Sequence, residues 1–175
     1  MTLYLIEGAL QPLQPEQIQQ ALDAIAAAAI EVQAELIEAQ VGESLQRLFV
    51  VIDARDDTIA QQSFAAGGLT VALIKAVRLL GQDLETVKAR KGKANYLVEW
   101  NLPDGLTMEA YLQRKAEKSP LYAQVPEVQF ERTYVCEDLS KCLCFYDSPD
   151  ASTVKQAREV VGAPIDQLTP IRNLH

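Results

Sequence analysis

The chain has 175 residues, 49% of them hydrophobic, which is enough to bury one large core or two small ones. Its formal net charge of -8 opposes binding to a phosphate backbone or an anionic membrane surface, so neither nucleic acid nor membrane is an expected partner. The opening segment MTLYLIEGALQPLQPE lacks a basic start and a long apolar run, so we expect no signal peptide and no anchor. Three cysteines without an export signal predict a cytoplasmic protein with free thiols.

An internal repeat organises the sequence. Shifting the chain by 94 positions aligns residues 41–80 with 135–174 without a gap, and nine pairs are identical where chance would give roughly two or three. The segments YLIE at 4–7 and YLVE at 96–99 also agree, at an offset of 92. We therefore predict two equivalent domains at 1–80 and 95–175, joined by a linker at 81–94.

The first copy begins with a strand at 3–6, followed by a turn and then a helix with apolar residues at helical spacing. Those apolar residues are Ile18, Leu22, Ile25 and Ala29. Two strands near 34–41 and 48–53 are joined by a hairpin-sized connection. A short helix near 58–66, with Gly67 or Gly68 at its left-handed end, and a strand near 71–79 complete the copy.

The segment GQDLETVKARKGKAN joins the two copies and carries several basic residues. They are Lys88, Arg90, Lys91 and Lys93. Such a cluster could bind an anion, but a charged connector that contains glycine is more typical of a solvated linker.

The second copy repeats the order of the first. Strands are predicted at 96–98, 128–135, 142–147 and 165–171, with a helix around Met108–Lys115 and another at 152–161. Ser152 stands where it could cap the second of these helices, and Gly162 stands where a left-handed residue would end it.

The element order is βαββαβ in each copy, which is the ferredoxin-like arrangement. The strands LFVVI and CLCFY are apolar on both faces, whereas a strand covered on one face alternates apolar and polar residues. Helices of the same copy can cover only one face of a four-stranded sheet. We therefore predict an α+β fold in which two tandem ferredoxin-like βαββαβ units pack sheet to sheet as a pseudo-dimeric α+β barrel.

Each copy also contains a predicted acid–base pair. In the ferredoxin-like strand order the first and third strands are antiparallel neighbours, which brings Glu7 near Arg47 and Glu99 near Lys141. The pairs could be structural, or the carboxylates could hold a ligand at the mouth of a barrel.

The second copy resembles the nickel-binding ferredoxin-like family. The resemblance rests on YLVE, RTYVCEDLSKCLCFYDSPD and VKQAREVVGAPIDQLTPI, which span most of residues 96–171. The matching positions are Tyr134, Asp138, Lys141, Cys144, Tyr146, Pro149, Asp150, Gly162 and Pro164. The resemblance implies a ferredoxin-like fold and, in a nickel-binding member, histidine ligands.

Two departures from the family pattern bear on function. The chain has one histidine, His175, at the C-terminus. The first copy has Val50 where the second has Cys144, and it also lacks both prolines of the pattern. Any site is therefore expected in the second copy.

Cys142 and Cys144 stand one residue apart on a predicted strand and therefore point to the same face. With Cys136 on the neighbouring hairpin strand they could hold a soft metal ion, or they could pack as small apolar side chains. A disulfide between them is disfavoured, because an extended strand separates their Cα atoms by about 6.5–7 Å.

The leading functional hypothesis is a non-catalytic protein that binds a small ligand or a transition metal such as nickel, copper or zinc. No catalytic residues are predicted. Candidate ligand-binding residues are Glu7, Glu99, Tyr134, Lys141 and Tyr146, and candidate metal ligands are Cys136, Cys142 and Cys144. One alternative is a protein-interaction module that docks through its alanine-rich first helix. Another is a small-molecule enzyme of the dimeric α+β barrel type. Under each hypothesis the protein could be a monomeric pseudo-dimer or a homo-oligomer.

Overall fold

A computed structural model describes residues 1–10, 14–89 and 94–174. The chain divides into two compact units: Met1–Val77 with Asp83–Gly92 and Ile171–His175, and Arg78–Gln82 with Lys93–Pro170. Each unit has its own hydrophobic core. Part of the turn predicted after the first strand, at 11–13, lies outside the described residues, as do Arg90, Lys91, Lys93 and His175.

The first unit contains an antiparallel sheet in the order β4-β1-β3-β2. Its strands are β1 Thr2–Ala9, β2 Glu35–Gly42, β3 Arg47–Ala54 and β4 Thr70–Leu80. Strand β4 belongs to this unit as far as Val77. Its helices are α1 Pro15–Glu31, α2 Asp57–Ala65 and α3 Leu84–Ala89. Since β1 and β3 are antiparallel neighbours, the predicted arrangement of first and third strands is present.

Apolar side chains of α1 and α2 fill the core of the first unit. The four residues predicted at helical spacing on α1 are all buried. The Phe64 side chain of α2 is also buried, and a Cβ atom built on Gly8 of β1 would lie 3.0 Å from its ring. The ring therefore occupies the space that a side chain at position 8 would need.

The second unit contains an antiparallel sheet in the order β8-β5-β7-β6. Its strands are β5 Tyr96–Asn101, β6 Gln129–Cys136, β7 Lys141–Asp147 and β8 Gln167–Asn173. Strand β8 belongs to this unit as far as Pro170. Its helices are α4 Met108–Lys118, which continues into a 3-10 turn at Ser119–Gln124, and α5 Ala151–Val160. Both units thus show the predicted βαββαβ order, and the predicted α+β class is confirmed.

The cap of α5 differs from the prediction. Asp150, not Ser152, is the capping residue, and its Oδ1 atom accepts a hydrogen bond from the Thr153 backbone N–H at 2.7 Å. Ser152 lies inside the helix, because the helix begins one residue earlier than predicted and a cap must precede the first turn. Asp56 caps α2 in the same way, through Ile59 N–H at 2.9 Å.

Strand β7 is buried on both faces, as predicted. Cys142 and Cys144 belong to the core beneath the helices of the second unit, while Leu143 and Phe145 alternate onto the other face and are equally buried. The cysteine-containing stretch is therefore the inside of a central strand.

Backbone irregularities recur at equivalent places in the two units. β2 has a register shift between Leu36 and Glu38, and β6 has one between Phe130 and Arg132. The hairpins place Leu45 and Leu139 at φ 59° and 57°, and α2 and α5 are followed by left-handed Gly68 and Gly162. All of these pairs stand 94 positions apart.

The segment predicted as a solvated linker contains a helix. Asp83 accepts a hydrogen bond from the Thr86 N–H at 2.7 Å at the start of α3, and Lys88 Nζ lies 2.8 Å from Glu35 Oε2. Among the described residues, no helix is long and apolar enough to cross a membrane.

Candidate functional site: a cationic cavity in the second unit

A cavity of about 40 Å³ lies in the second unit between the sheet and its helices. Side chains of β5, β7, α4 and α5 line it. A space of this size holds about three water-sized groups. A small molecule of a few heavy atoms therefore fits without movement.

Four cationic side chains line the cavity, and no carboxylate lines it. They are Arg114, Lys115, Lys118 and Arg158. Within the described part of the chain, none of the four forms an ion pair. In a chain with net charge -8, this local excess of positive charge is typical of an anion site.

Arg158 is the most deeply buried of these cations, with 2% of its surface exposed. Its Nη1 donates to the Tyr146 hydroxyl at 3.1 Å and to Cys144 Sγ at 3.5 Å, and its Nη2 donates to the Pro164 carbonyl oxygen. Its Nε is buried without a hydrogen-bond partner. Burial works to lower the pKa of Arg158, but Cys144 and Tyr146 raise it above its ordinary value, so the guanidinium stays charged.

Cys144 Sγ is surrounded by hydrogen-bond donors. It accepts from Thr133 Oγ1 at 3.2 Å and from Arg158 Nη1 at 3.5 Å. The neighbouring Cys142 side chain lowers the pKa of Cys144 well below its ordinary value, and the charges of Lys115 and Arg158 lower it further, against the opposing effect of burial. The pKa of Cys142 is raised by its interaction with Cys144 and by burial, so Cys144 is the more readily ionised of the two thiols.

Aromatic residues complete the walls. The ring of Trp100 lies 5.9 Å from the guanidinium carbon of both Arg114 and Arg158. The Tyr122 and Tyr146 hydroxyls are 2.7 Å apart, and burial raises the pKa of both, so both remain protonated. The cavity therefore combines fixed positive charge with neutral hydroxyl and ring surfaces.

The predicted acid–base pairs are present, but they lie away from this cavity. Glu7 pairs with Arg47 at 2.8 Å in the first unit. Glu99 pairs with Lys141 at 3.0 Å in the second unit. Lys141 directly precedes Cys142 on β7, so its side chain points to the face of the sheet opposite Cys142 and Cys144. A ligand-binding role for these carboxylates stays a prediction.

The two tyrosines predicted to bind a ligand lie on opposite faces of the sheet. Tyr146 lies beside Arg158, while Tyr134 is buried on the opposite face of the sheet, 5.8 Å from the Phe145 ring. Of the five candidate ligand-binding residues, Tyr146 accepts a hydrogen bond from Arg158, which lines the cavity.

The three cysteines do not converge. Val135 packs in the same core as Cys142, so the next residue of β6, Cys136, points to the other face. No group of three or more His, Cys, Asp or Glu side chains able to hold a metal occurs within residues 1–10, 14–89 and 94–174. The donor set of this region does not fit a nickel centre.

Sequence reasoning missed the cavity's principal residue. Val154, Ala157 and Val161 lie at helical spacing on the buried side of α5, and Arg158 shares that side. A charged residue among apolar residues at helical spacing was the signal by which Arg158 could have been identified from the sequence. Trp100 and Lys115 had no comparable signal, because the cavity is formed by tertiary packing.

The first unit has an apolar side chain at the position equivalent to Arg158. Arg158 follows the cap Asp150 by eight residues, and Phe64 follows the cap Asp56 by the same number. Trp100 pairs with Cys142, and Gly8 pairs with Leu48 at the corresponding place. The βαββαβ unit therefore folds with an apolar core, and its architecture does not require a buried arginine.

The fold belongs to the dimeric α+β barrel class. A candidate chlorite dismutase, TA0507, matches 99% of this chain and 96% of its own at a TM-score of 0.62 and 10% identity. An anthrone oxidase-like protein matches 99% and 92% at 0.53 and 12% identity. A candidate monooxygenase of Fusobacterium nucleatum, FN1347, matches 99% and 92% at 0.52 and 9% identity. Identities this low show a shared fold alone.

Residues 96–171 match the family described as nickel responsive protein SCO4226-like. The matched residues fall within the second copy, where the sequence predicted the family resemblance, and they include the central strand and the helix that carry Cys144 and Arg158. No curated protein matches the sequence.

Proposed function

We propose that the second unit binds a small oxyanion in its cationic cavity and that the chain acts as a binding protein. The observation that carries this proposal is Arg158, which is buried, lines the cavity and has no carboxylate partner in the described residues. An anion in the cavity would supply a counterion.

Energetics support this reading of Arg158. Taking a guanidinium out of water costs several kcal/mol unless its partners compensate. The first unit uses Phe64 at the equivalent position and avoids that cost. A costly residue in a place where the fold accepts an apolar one is typical of a binding site.

The size and chemistry of the cavity select the ligand class. The planar guanidinium favours an acceptor with two oxygen atoms, such as a carboxylate. A space of about 40 Å³ admits a molecule the size of formate or acetate. Trp100 and Val161 provide an apolar surface for a methyl group.

Fluorescence of Trp100 tests the proposal, because Trp100 is the chain's one tryptophan and lines the cavity. Sodium acetate is titrated against sodium chloride at constant ionic strength. We expect a saturable change in Trp100 emission with a dissociation constant in about the millimolar range. Citrate, which is too large for the cavity, should give none.

Variants on one helix provide the control for that titration. Arg158→Met should abolish the acetate response, while Lys155→Met, on the exposed side of α5, should leave it unchanged. The proposal is contradicted if acetate gives no saturable response up to about 100 mM, or if Arg158→Met responds as the unaltered protein does.

The predicted metal site stays a prediction, and no step of this proposal depends on a metal. The family matched by the second unit is described as nickel responsive, but the described residues bring no nickel donor set together. Elemental analysis of untagged protein would decide the matter: less than about a tenth of an equivalent of nickel, copper or zinc would remove the hypothesis. The proposal also takes the chain as a duplicated unit in which the second copy carries the site, which the matching caps, bulges and left-handed residues support.

A further inference from the structure

We propose that Cys144 is a peroxide-reactive thiol, and that its sulfenate is held by Arg158 and Thr133 and prevents anion binding in the same cavity. The last part rests on the proposed function. The oxidation itself does not.

Three features of the geometry support the reaction. Cys144 lines a cavity with room for a molecule as small as hydrogen peroxide. Its sulfur accepts from Thr133 and from the Arg158 guanidinium, which lacks a carboxylate counterion in the described residues. Donors that face a sulfur stabilise the thiolate, and the thiolate is the reactive form.

The chemistry requires one co-reactant, a hydroperoxide. The Cys144 thiolate attacks one oxygen of hydrogen peroxide, a sulfur–oxygen bond forms and the oxygen–oxygen bond breaks. The leaving hydroxide takes a proton and departs as water, and the sulfur is oxidised by two electrons while the peroxide is reduced. The product is a sulfenic acid, whose ionised oxygen carries negative charge into the cavity.

The surroundings favour a sulfenate over a disulfide. The neighbouring thiol, Cys142, lies two residues away on an extended strand, where Cα atoms are about 6.5–7 Å apart, at or beyond the upper limit for a disulfide. Arg158 Nη1 lies 3.5 Å from Cys144 Sγ, so the guanidinium is placed to donate to a new oxygen on that sulfur. The modification is therefore expected to stop at the sulfenate in moderate peroxide.

Cys136 serves as the internal control. It is buried like Cys144, but it points to the opposite face of the sheet and does not line the cavity. Burial raises its pKa above the ordinary value, which keeps the thiol protonated. Cys136 should react far more slowly than Cys144.

The experiment treats the full chain with hydrogen peroxide and then unfolds it in the presence of dimedone, which labels sulfenic acids. Trypsin separates Cys136 in the fragment 133–141 from Cys142 and Cys144 in the fragment 142–155. A Cys142→Ser variant assigns the label within the second fragment. We expect label on Cys144 at least tenfold faster than on Cys136.

Variants test the assigned contacts. Arg158→Met and Thr133→Val should each slow Cys144 oxidation, Arg158→Met by about tenfold or more, as expected for loss of a hydrogen bond from a charged donor. Arg158→Lys should restore part of the rate, which a merely structural role would not predict. Near-ultraviolet circular dichroism checks that each variant is folded.

The outcomes separate the two proposals. The inference is overturned if Cys144 remains reduced, reacts no faster than Cys136, or reacts at an unchanged rate in both Arg158→Met and Thr133→Val. Failure of acetate to change Trp100 emission overturns the binding function and leaves the oxidation result standing. If oxidised protein still binds acetate as tightly as reduced protein, the blocking role is wrong.

Discussion

At the scale of single residues, the contrast among the three cysteines is chemical. All three are free and buried, yet hydrogen bonds and positive charge lower the pKa of Cys144, while burial raises that of Cys136. The sequence alone could not decide whether these cysteines pack as apolar side chains or bind a metal. A strand pattern gives the face on which a side chain lies, but not the residues that pack against it. The donor from α5 becomes visible only in three dimensions.

The lowered pKa of Cys144 predicts a pH dependence. A group whose pKa is lower in the folded than in the unfolded protein stabilises the fold above its unfolded pKa, about 8.5 for cysteine, and this stabilisation is lost as pH falls through the folded pKa. The free energy of unfolding of Cys144→Ser should therefore approach that of the unaltered protein as pH is lowered from 9 toward about 5. Urea unfolding at several pH values measures it, with Cys136→Ser as control. A difference that widens as pH falls would contradict the assignment.

Arg158 predicts an opposition between stability and binding. Arg158→Met removes a buried charge, and Cys144 can then take up a proton, so no unpaired ion is left behind. We expect the free energy of unfolding to rise by about 1 kcal/mol while the acetate response is lost. Urea unfolding followed by far-ultraviolet circular dichroism checks this. A loss of more than about 2 kcal/mol would show that Arg158 is a structural residue.

At the scale of elements, local chemistry made much of the fold predictable. The helix α1 was recognised from its apolar spacing. The left-handed end of α5 was recognised from Gly162, while for α2 the sequence left Gly67 and Gly68 open and the structure selects Gly68. The cap of α5 was misplaced, because Asp150 and Ser152 are both good capping residues and the exact start of a helix is weakly determined by sequence. The repeated pair Asp56 and Asp150 was the signal that distinguished them.

The glycine after α5 gives an element-scale prediction. Gly162 has φ 68°, and an added Cβ would meet nothing closer than Arg114 Nη2 at 3.7 Å, so the cost of Gly162→Ala comes from backbone conformation. We expect a loss of about 1 kcal/mol in the free energy of unfolding, measured by urea unfolding. Gly162→Asn should lose less, because asparagine tolerates left-handed backbone better. Equal losses for both variants would contradict the conformational explanation.

At the scale of the whole molecule, the two units share one element order and differ in their cores. Doubly apolar strands and the repeat predicted the α+β class from sequence, because both signals depend on periodicity. The cavity was not predictable in that way. It depends on which side chains meet between α4, α5 and the sheet, and these come from four separate segments of the sequence.

Because the cores of the two units differ, we expect substitutions at the equivalent positions 64 and 158 to change stability by different amounts. Phe64→Arg would bury a guanidinium in a filled apolar core and lose the packing of the ring, so we expect it to cost more than about 3 kcal/mol. Arg158→Met, at the equivalent position in the second unit, should be tolerated. Thermal unfolding of both variants compares them. Tolerance of Phe64→Arg would mean that the first unit can also open a cavity.

The close approach of Phe64 to Gly8 has an evolutionary consequence. With a Cβ only 3.0 Å from the ring, a larger residue at position 8 demands a smaller one at position 64. Among descendants of this sequence, the two positions are therefore expected to covary. Because one volume must hold both side chains, a change at either position is expected to be tolerated better when the other changes with it.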